Sequence, residues 1–227
     1  MPEAALQDRL AHVREVVARA QRDGGWSHRV RIVAVTKTHG PDAVRAAAAA
    51  GLDAVGENTV QEALGKQDEC SDVAVDWHLV GTLQRNKARR VVGRFALIHS
   101  IDRADLAAEL DRRTPDGTTQ QVLIQVNCSA EPQKGGVMPD TLATLLDAMR
   151  PLRRVRVRGL MTMAAFDATE AEQRRTFAQL RSLRDAMTTE GHDLPELSMG
   201  MSDDYPAAVR EGATLLRLGT VLFGRRT

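Results

Sequence analysis

The stretch RIVAVTKTHG, Arg31 to Gly40, decides how the chain is read. Ile32 to Thr36 are apolar or β-branched, the composition of a buried strand, yet the run ends on a lysine. Lysine is scarce here: of 31 basic residues, only Lys37, Lys66, Lys87 and Lys134 are lysines, and the rest are arginines. Where this chain needs plain positive charge it uses arginine, so a strand-end lysine marks a place suited to amine chemistry. An exposed lysine has a pKa of about 10.4. Desolvation at a strand mouth lowers that value and frees the amine to attack a carbonyl, giving a Schiff base. The same position also suits a lysine that simply extends into solvent.

Outward from this stretch, short apolar runs alternate with longer Ala/Leu/Arg-rich segments. Strands are expected at 31–36, 53–57, 76–81, 95–100, 121–127, 155–161, 195–199 and 214–219. Helices are expected at 41–51, 58–69, 84–92, 103–113, 139–149, 171–190 and 203–211, after an amphipathic opening helix within 1–20. Pro41 suits a first helical turn and Gly51 a C-terminal stop. Strands separated by helices predict a parallel sheet with helical crossovers, and eight of them close a (β/α)8 barrel. The expected fold is therefore α/β, a single TIM-like barrel domain over 1–227 with an extra N-terminal helix. An open doubly wound sheet is the competing architecture, but no Gly-x-Gly-x-x-Gly follows a strand.

Composition narrows the function. The 31 basic and 30 acidic residues leave a net charge of +1, and aromatic residues make up 3% of the chain. Neither a basic field nor a set of base-stacking platforms is present, so no nucleic-acid partner is expected. No apolar run has the length of a membrane span. Cys70 and Cys128 are far apart without metal-type spacing, which fits reduced thiols in a cytoplasmic protein. The arginines of RRVRVRG (153–159) are expected to pair with acids, and QRNKARR (84–90) reads as a solvated helix face. His78 and His99 lack metal-ligand spacing and read as satisfied core or rim histidines.

In a barrel, functional groups gather at the C-terminal strand ends. Those ends carry Lys37, Glu57-Asn58, Gly81, His99, Asn127, Met161-Thr162, Ser198 to Ser202, and Gly219-Thr220. In LRLGTVLFG, Gly219 permits close backbone approach, and the amides near Thr220 suit a phosphate as well as a plain strand end. In LSMGMSDDYPAAVREG, Ser202 is a good helix N-cap. Ser198, Gly200 and Ser202 also present hydroxyls and amides, although Asp203 and Asp204 repel an anion unless they point away. A strand-1 lysine with two phosphate-competent loops after strands 7 and 8 describes a site for a phosphorylated aldehyde. Pyridoxal phosphate fits, as does a phosphosugar held by an aldolase-type lysine.

Eight blocks, VAVTKTHGPDAV, GENTVQEALGK, WHLVGTLQRNK, IHSIDR, QVNCSAEPQKGGV, RGLMTM, LSMGMSDD and RLGTVLFGRR, occur in order over nearly the whole chain. Together they resemble the pyridoxal phosphate homeostasis protein family, relatives of the alanine racemase N-terminal barrel. The resemblance implies pyridoxal 5'-phosphate carried as a Schiff base on Lys37. It implies Ser198, Ser202, Gly219 and Thr220 around the phosphate, Arg217 near the pyridine nitrogen, and Asn58 beside the cofactor. Thr36, His39, Cys128 and the Gly135-Gly136 pair depart from the family pattern, leaving the contacts of loop 127–137 open.

An arginine stays protonated and cannot pass a proton to the ring nitrogen, so the ring remains a weak electron sink. Racemases related to this family add a second base, a tyrosine, through a further β-domain and a partner subunit. This chain ends in FGRRT just after its last strand, and its one tyrosine, Tyr205, is expected to pack on its helix. The resemblance therefore implies a monomeric intracellular carrier for vitamin B6 homeostasis with little or no turnover. Pyridoxal phosphate-dependent apo-enzymes are its expected recipients. A weakly active amino-acid racemase and a cofactor-free phosphosugar lyase are the alternatives.

Overall fold

Eight parallel strands close into a barrel in simple chain order, β1 pairing with both β2 and β8. The structure is a computed structural model that describes residues 3–224. The strands are β1 (Arg31–Val35), β2 (Ala54–Glu57), β3 (Asp76–Leu79), β4 (Leu97–Ile101), β5 (Gln120–Gln125), β6 (Val155–Met161), β7 (Glu196–Ser198) and β8 (Leu215–Leu218). The helices are α1 (Glu3–Gly24), α2 (Pro41–Ala49), α3 (Val60–Glu69), α4 (Ala88–Val91), α5 (Ala104–Arg113), α6 (Leu142–Met149), α7 (Glu170–Thr189), α8 (Tyr205–Arg210) and α9 (Thr220–Phe223). The TIM-like barrel with an added N-terminal helix is the architecture that the alternation predicts. Residues 1–2 and 225–227, the two ends of the expected 1–227 domain, lie outside the described residues.

Three helical segments differ from expectation, one of them the 139–149 helix, which opens as a 3-10 turn, Pro139–Thr141, before α6. The 84–92 helix is a 3-10 turn, Arg85–Lys87, followed by one turn of α4. Gly93, at φ +72, stops it early. The 203–211 helix begins only at Tyr205, because Asp204 turns its side chain back to accept a hydrogen bond from the Met201 amide at 2.5 Å.

Strand alternation sorts the side chains into two cores. Between sheet and helices lies a continuous apolar layer that includes Val44, Leu79, Leu106, Leu160, Phe177 and Leu197. A smaller cluster of Leu97, Leu123, Met161 and Leu215 forms separately from it. Two residues further along their strands, Leu97 and Leu215 give way to His99 and Arg217, both buried. The barrel thus carries an apolar plug with a polar layer above it, toward the C-terminal ends.

The arginine-rich strand starts are paired with acids. Arg31 joins Asp53 at 2.9 Å and Asp76 at 2.6 Å. Arg156 and Arg158 both reach Asp193 at 3.1 Å, and Arg154 pairs with Asp116. Such exposed pairs contribute about 0–1 kcal/mol each, so they organise the base of the barrel more than they hold it together.

A bulge between β5 and β6 shifts the register so that Gly159, not Arg158, faces Leu123. Gly159 has φ +156, and a Cβ there would lie 1.9 Å from the Glu196 carbonyl oxygen. Neither atom in that contact is a flexible side-chain end. Gly159→Ala is expected to destabilise the protein by about 2–3 kcal/mol, the cost of overpacking plus a strained φ. Urea unfolding at neutral pH measures it, and wild-type stability in the variant would contradict the packing described.

Candidate functional site

The C-terminal mouth holds a cavity of about 560 Å³, lined by Lys37, Asn58, Ser202, Arg217, Gly219 and Thr220 together with Gln125 and Lys134. Six of the seven residues expected from the sequence therefore meet in one place. The seventh, Ser198, does not line the cavity and is described below with Arg217.

Lys37 stands on the turn after β1, and its side chain is exposed. Desolvation of its amine at the mouth, expected from the sequence, is not found. No hydrogen bond or ion pair engages that amine among the described residues. What fixes the turn lies behind it. Val35 and Lys37 face the cavity, so Thr36 between them faces α3. There Lys66, only 5% exposed, donates to the Thr36 carbonyl at 2.7 Å, to Glu57 Oε1 at 2.7 Å and to Glu62 Oε1 at 2.8 Å. The Thr36 hydroxyl donates to the same Glu57 oxygen at 2.5 Å. Glu62 also accepts from the amide of Thr38, a residue held at φ +67. A left-handed threonine is unfavourable without such support. The buried cation thus clamps both flanks of Lys37. Burial pushes the Glu57 carboxyl up, against the pull of Lys66 and Thr36, and its Oε2 has no hydrogen-bond partner.

Arg217 forms the floor of the cavity and is 5% exposed. It donates from Nη1 to Ser198 Oγ at 2.6 Å and from Nη2 to the Thr162 carbonyl at 2.8 Å. Both partners are neutral, and Arg217 makes no ion pair among the described residues. Burial brings its guanidinium down to about 10, partly offset by Asp204 nearby, which leaves it charged at neutral pH. Ser198 is wholly buried and also contacts His99 Nδ1 at 2.9 Å; His99 Nε2 meets His78 Nδ1 at 3.0 Å. The Ser198 hydroxyl, expected beside a phosphate, instead bonds inside the barrel to Arg217 and His99. The two histidines are core residues bonded to each other, held uncharged by burial, His78 at about 4 and His99 well below the ordinary value.

Ser202 does not cap the helix that follows it. Its Oγ accepts from the amides of Gly219 at 3.3 Å and Val221 at 3.2 Å, at the start of α9. That places a hydroxyl and several backbone donors on one wall, a disposition suited to an anion. Asp204 is buried and turned back toward Met201, whereas Asp203 lines the cavity. Asn58 is held by a close approach to Gly81, where a Cβ would lie 2.1 Å from the Asn58 carbonyl oxygen.

Tyr205 is buried in the outer core and does not line the cavity. Loop 127–137 reaches over the mouth: Gln133 and Lys134 line it, and Gln125 Nε2 holds the Lys134 carbonyl at 2.7 Å. Lys66 and Lys134 carry the same signal in the sequence as Lys37, the scarcity of lysine in a chain rich in arginine.

A family model described as alanine racemase, N-terminal domain, matches residues 5–227. Pyridoxal phosphate homeostasis proteins are similar along the full length. That of Pseudomonas aeruginosa is 44% identical, covering 95% of this chain and 92% of the relative. That of Aquifex aeolicus is 40% identical, covering 96% and 97%. PipY of Synechococcus elongatus, solved with PLP bound, superposes with a TM-score of 0.85 at 40% identity, covering 96% of this chain and all of that one. Alanine racemase of Clostridium difficile, at 11% identity and a TM-score of 0.78, shares the fold.

Removing Lys66 leaves Glu57 buried without its counter-charge. Lys66→Met is expected to cost about 3–5 kcal/mol, part of it recovered by adding Glu57→Leu; urea unfolding of the two variants compares them. The histidine pair gives a pH dependence of known sign. The unfolded chain protonates its histidines near pH 6.5, whereas folded His78 resists to about 4. The unfolded state therefore binds more protons between these values, and stability falls as pH drops through that window. The slope is up to about 1.4 kcal/mol per pH unit for each histidine. Unfolding measured at pH 7 and pH 5 should show a smaller loss in His78→Asn than in the wild type.

Proposed function

Since the chain belongs to the pyridoxal phosphate homeostasis protein family, we propose that it binds pyridoxal 5'-phosphate at Lys37 and buffers the cell's supply of that cofactor with little or no catalytic turnover. The observation that carries this reading is the pairing, across one cavity, of the free Lys37 amine with a buried guanidinium that lacks a carboxylate partner. A buried cation with neutral partners is costly unless an anion or acceptor completes it.

The residues present suit this cofactor. Lys37 offers an unengaged amine for an aldehyde, while the Ser202 hydroxyl proton and Thr220 at the start of α9 offer donors for a phosphate. A Cβ at position 219 would come within 3.3 Å of the Val35 carbonyl oxygen, so glycine keeps that wall close to the backbone of β1. Arg217 would face the ring and Asn58 its edge. When bound, pyridoxal phosphate supplies an aldehyde that an amine captures reversibly and a ring able to take up electron density.

The chain's own groups favour holding over turnover. Arg217 donates a hydrogen bond and keeps its proton, so it does not charge the ring nitrogen. Racemisation needs bases on both faces of the substrate, and Tyr205 is packed away from the cavity. We extend the reading to a monomer acting in the cytoplasm, with pyridoxal phosphate-dependent apo-enzymes as recipients.

The protein mixed with pyridoxal phosphate should acquire a visible absorption band that borohydride removes and Lys37→Ala never shows. A protein that stays colourless refutes the assignment. Ser202→Ala and Thr220→Ala should each weaken retention about five- to tenfold, the worth of one ordinary hydrogen bond, while circular dichroism stays unchanged. Incubation with L-amino acids followed by chiral separation tests the absence of turnover; product at ordinary enzymatic rates, on the order of 1 per second or faster, argues for a racemase.

A further inference from the structure

The hydrogen bonds beneath the cavity form one chain from β3 to β8: His78, His99, Ser198, Arg217. Distances alone leave the protons open, but donor and acceptor counting places them. A guanidinium only donates, so Ser198 Oγ accepts from Arg217. The Ser198 proton must then point elsewhere, and its one acceptor within reach among the described residues is His99 Nδ1, 2.9 Å away. His99 Nδ1 is accordingly bare, and its proton sits on Nε2 and is donated to His78 Nδ1 at 3.0 Å. The reverse arrangement, with His99 Nδ1–H donating to Ser198, gives Oγ two incoming donors and leaves the buried hydroxyl proton without an acceptor. Such groups are rare in folded proteins because they lose their water and gain nothing.

We propose that His99 is a positioning residue: held as its Nε2–H tautomer by His78, it turns the Ser198 hydroxyl so that its lone pairs face Arg217 and set the plane of that guanidinium at the cavity floor. Ser198 and the Thr162 carbonyl then grip two different nitrogens of Arg217, and these two points with the covalent link at Nε fix the plane of the group. Arg217 also lines the cavity, and its remaining N–H groups make no other hydrogen bond among the described residues. His99 and His78 touch nothing in that cavity themselves. The inference rests on the proposed cofactor only where it says what Arg217 meets there, the ring of a pyridoxal compound; the proton arrangement stands without it.

The first measurement uses the full chain, labelled with nitrogen-15 and free of ligand, at neutral pH. Two-bond proton–nitrogen spectra distinguish bare from protonated ring nitrogens. His99 should show a bare Nδ1 and a protonated Nε2; the opposite tautomer overturns the proposal whatever the protein binds. The second measurement compares retention of pyridoxal with that of pyridoxal 5'-phosphate. His99→Leu should weaken both by the same roughly tenfold factor, because Arg217 serves the ring end that the two compounds share. His99→Asn, whose amide oxygen can take the place of Nδ1 as acceptor, should recover most of the loss. Ser202→Ala should instead change the ratio between the two compounds. Unaltered retention in His99→Leu, or a changed ratio there, refutes the positioning role. Wild-type protein that binds neither compound sinks the functional reading and leaves the tautomer result to be judged alone, as it is if His99→Leu does not fold.

Discussion

A permanent positive charge sits at the floor of the barrel mouth with neutral neighbours on its protein side. Arg217 lies on the last strand, level with Val33 of the first, so it is anchored where the sheet closes on itself. Burying a guanidinium without a carboxylate is expensive, and the fold meets that cost with a serine hydroxyl and a peptide carbonyl in place of an acid. The consequence is electrostatic: no carboxylate among the described residues pairs with the charge, buried Asp204 offsets it only in part from nearby, and the rest of its field falls on whatever enters the cavity. Low surrounding polarity strengthens that field relative to one in open water.

The amine across the cavity is treated in the opposite way. Lys37 is left in solvent, while the lysine that fixes both its flanks is buried behind the turn. Lys66 donates to a carbonyl and to one oxygen of each of two carboxylates, and Glu62 steadies a threonine in a conformation it would otherwise avoid. A flexible side chain on a rigid turn keeps its reach while its origin is fixed. The arrangement places the ionic cost in the layer between sheet and helices, where packing is densest and the turn can be held most firmly.

The barrel was legible because its evidence is repetitive. Eight apolar runs separated by helical segments cannot be arranged in many ways, and errors at single boundaries do not change the topology. The end of β1 at Lys37 and the glycine-led start of α9 were legible too, since strand ends in this architecture point at one place. Three things were not. Ser198 and Ser202 are four residues apart on the same motif, and nothing in their order reveals that one hydroxyl faces the interior while the other meets α9. His78 and His99 lie 21 positions apart, and their contact depends on strand register, which hydrophobic pattern alone does not set to the residue. Lys66 sat in a helix that looked amphipathic and ordinary; its burial depends on Glu57 and Thr36 arriving beneath it from two strands.

Exposure of the Lys37 amine bears on lifetimes. Affinity and residence need not go together: under the proposed assignment, the guanidinium floor and the start of α9 set how tightly an anionic ring compound is held. Access of water to the point of attachment bears on how soon it can leave. A storage site that sealed its lysine would keep its cargo and be slow to give it up. One that leaves the lysine in water, and puts the grip at the far end of the ligand, is built for exchange.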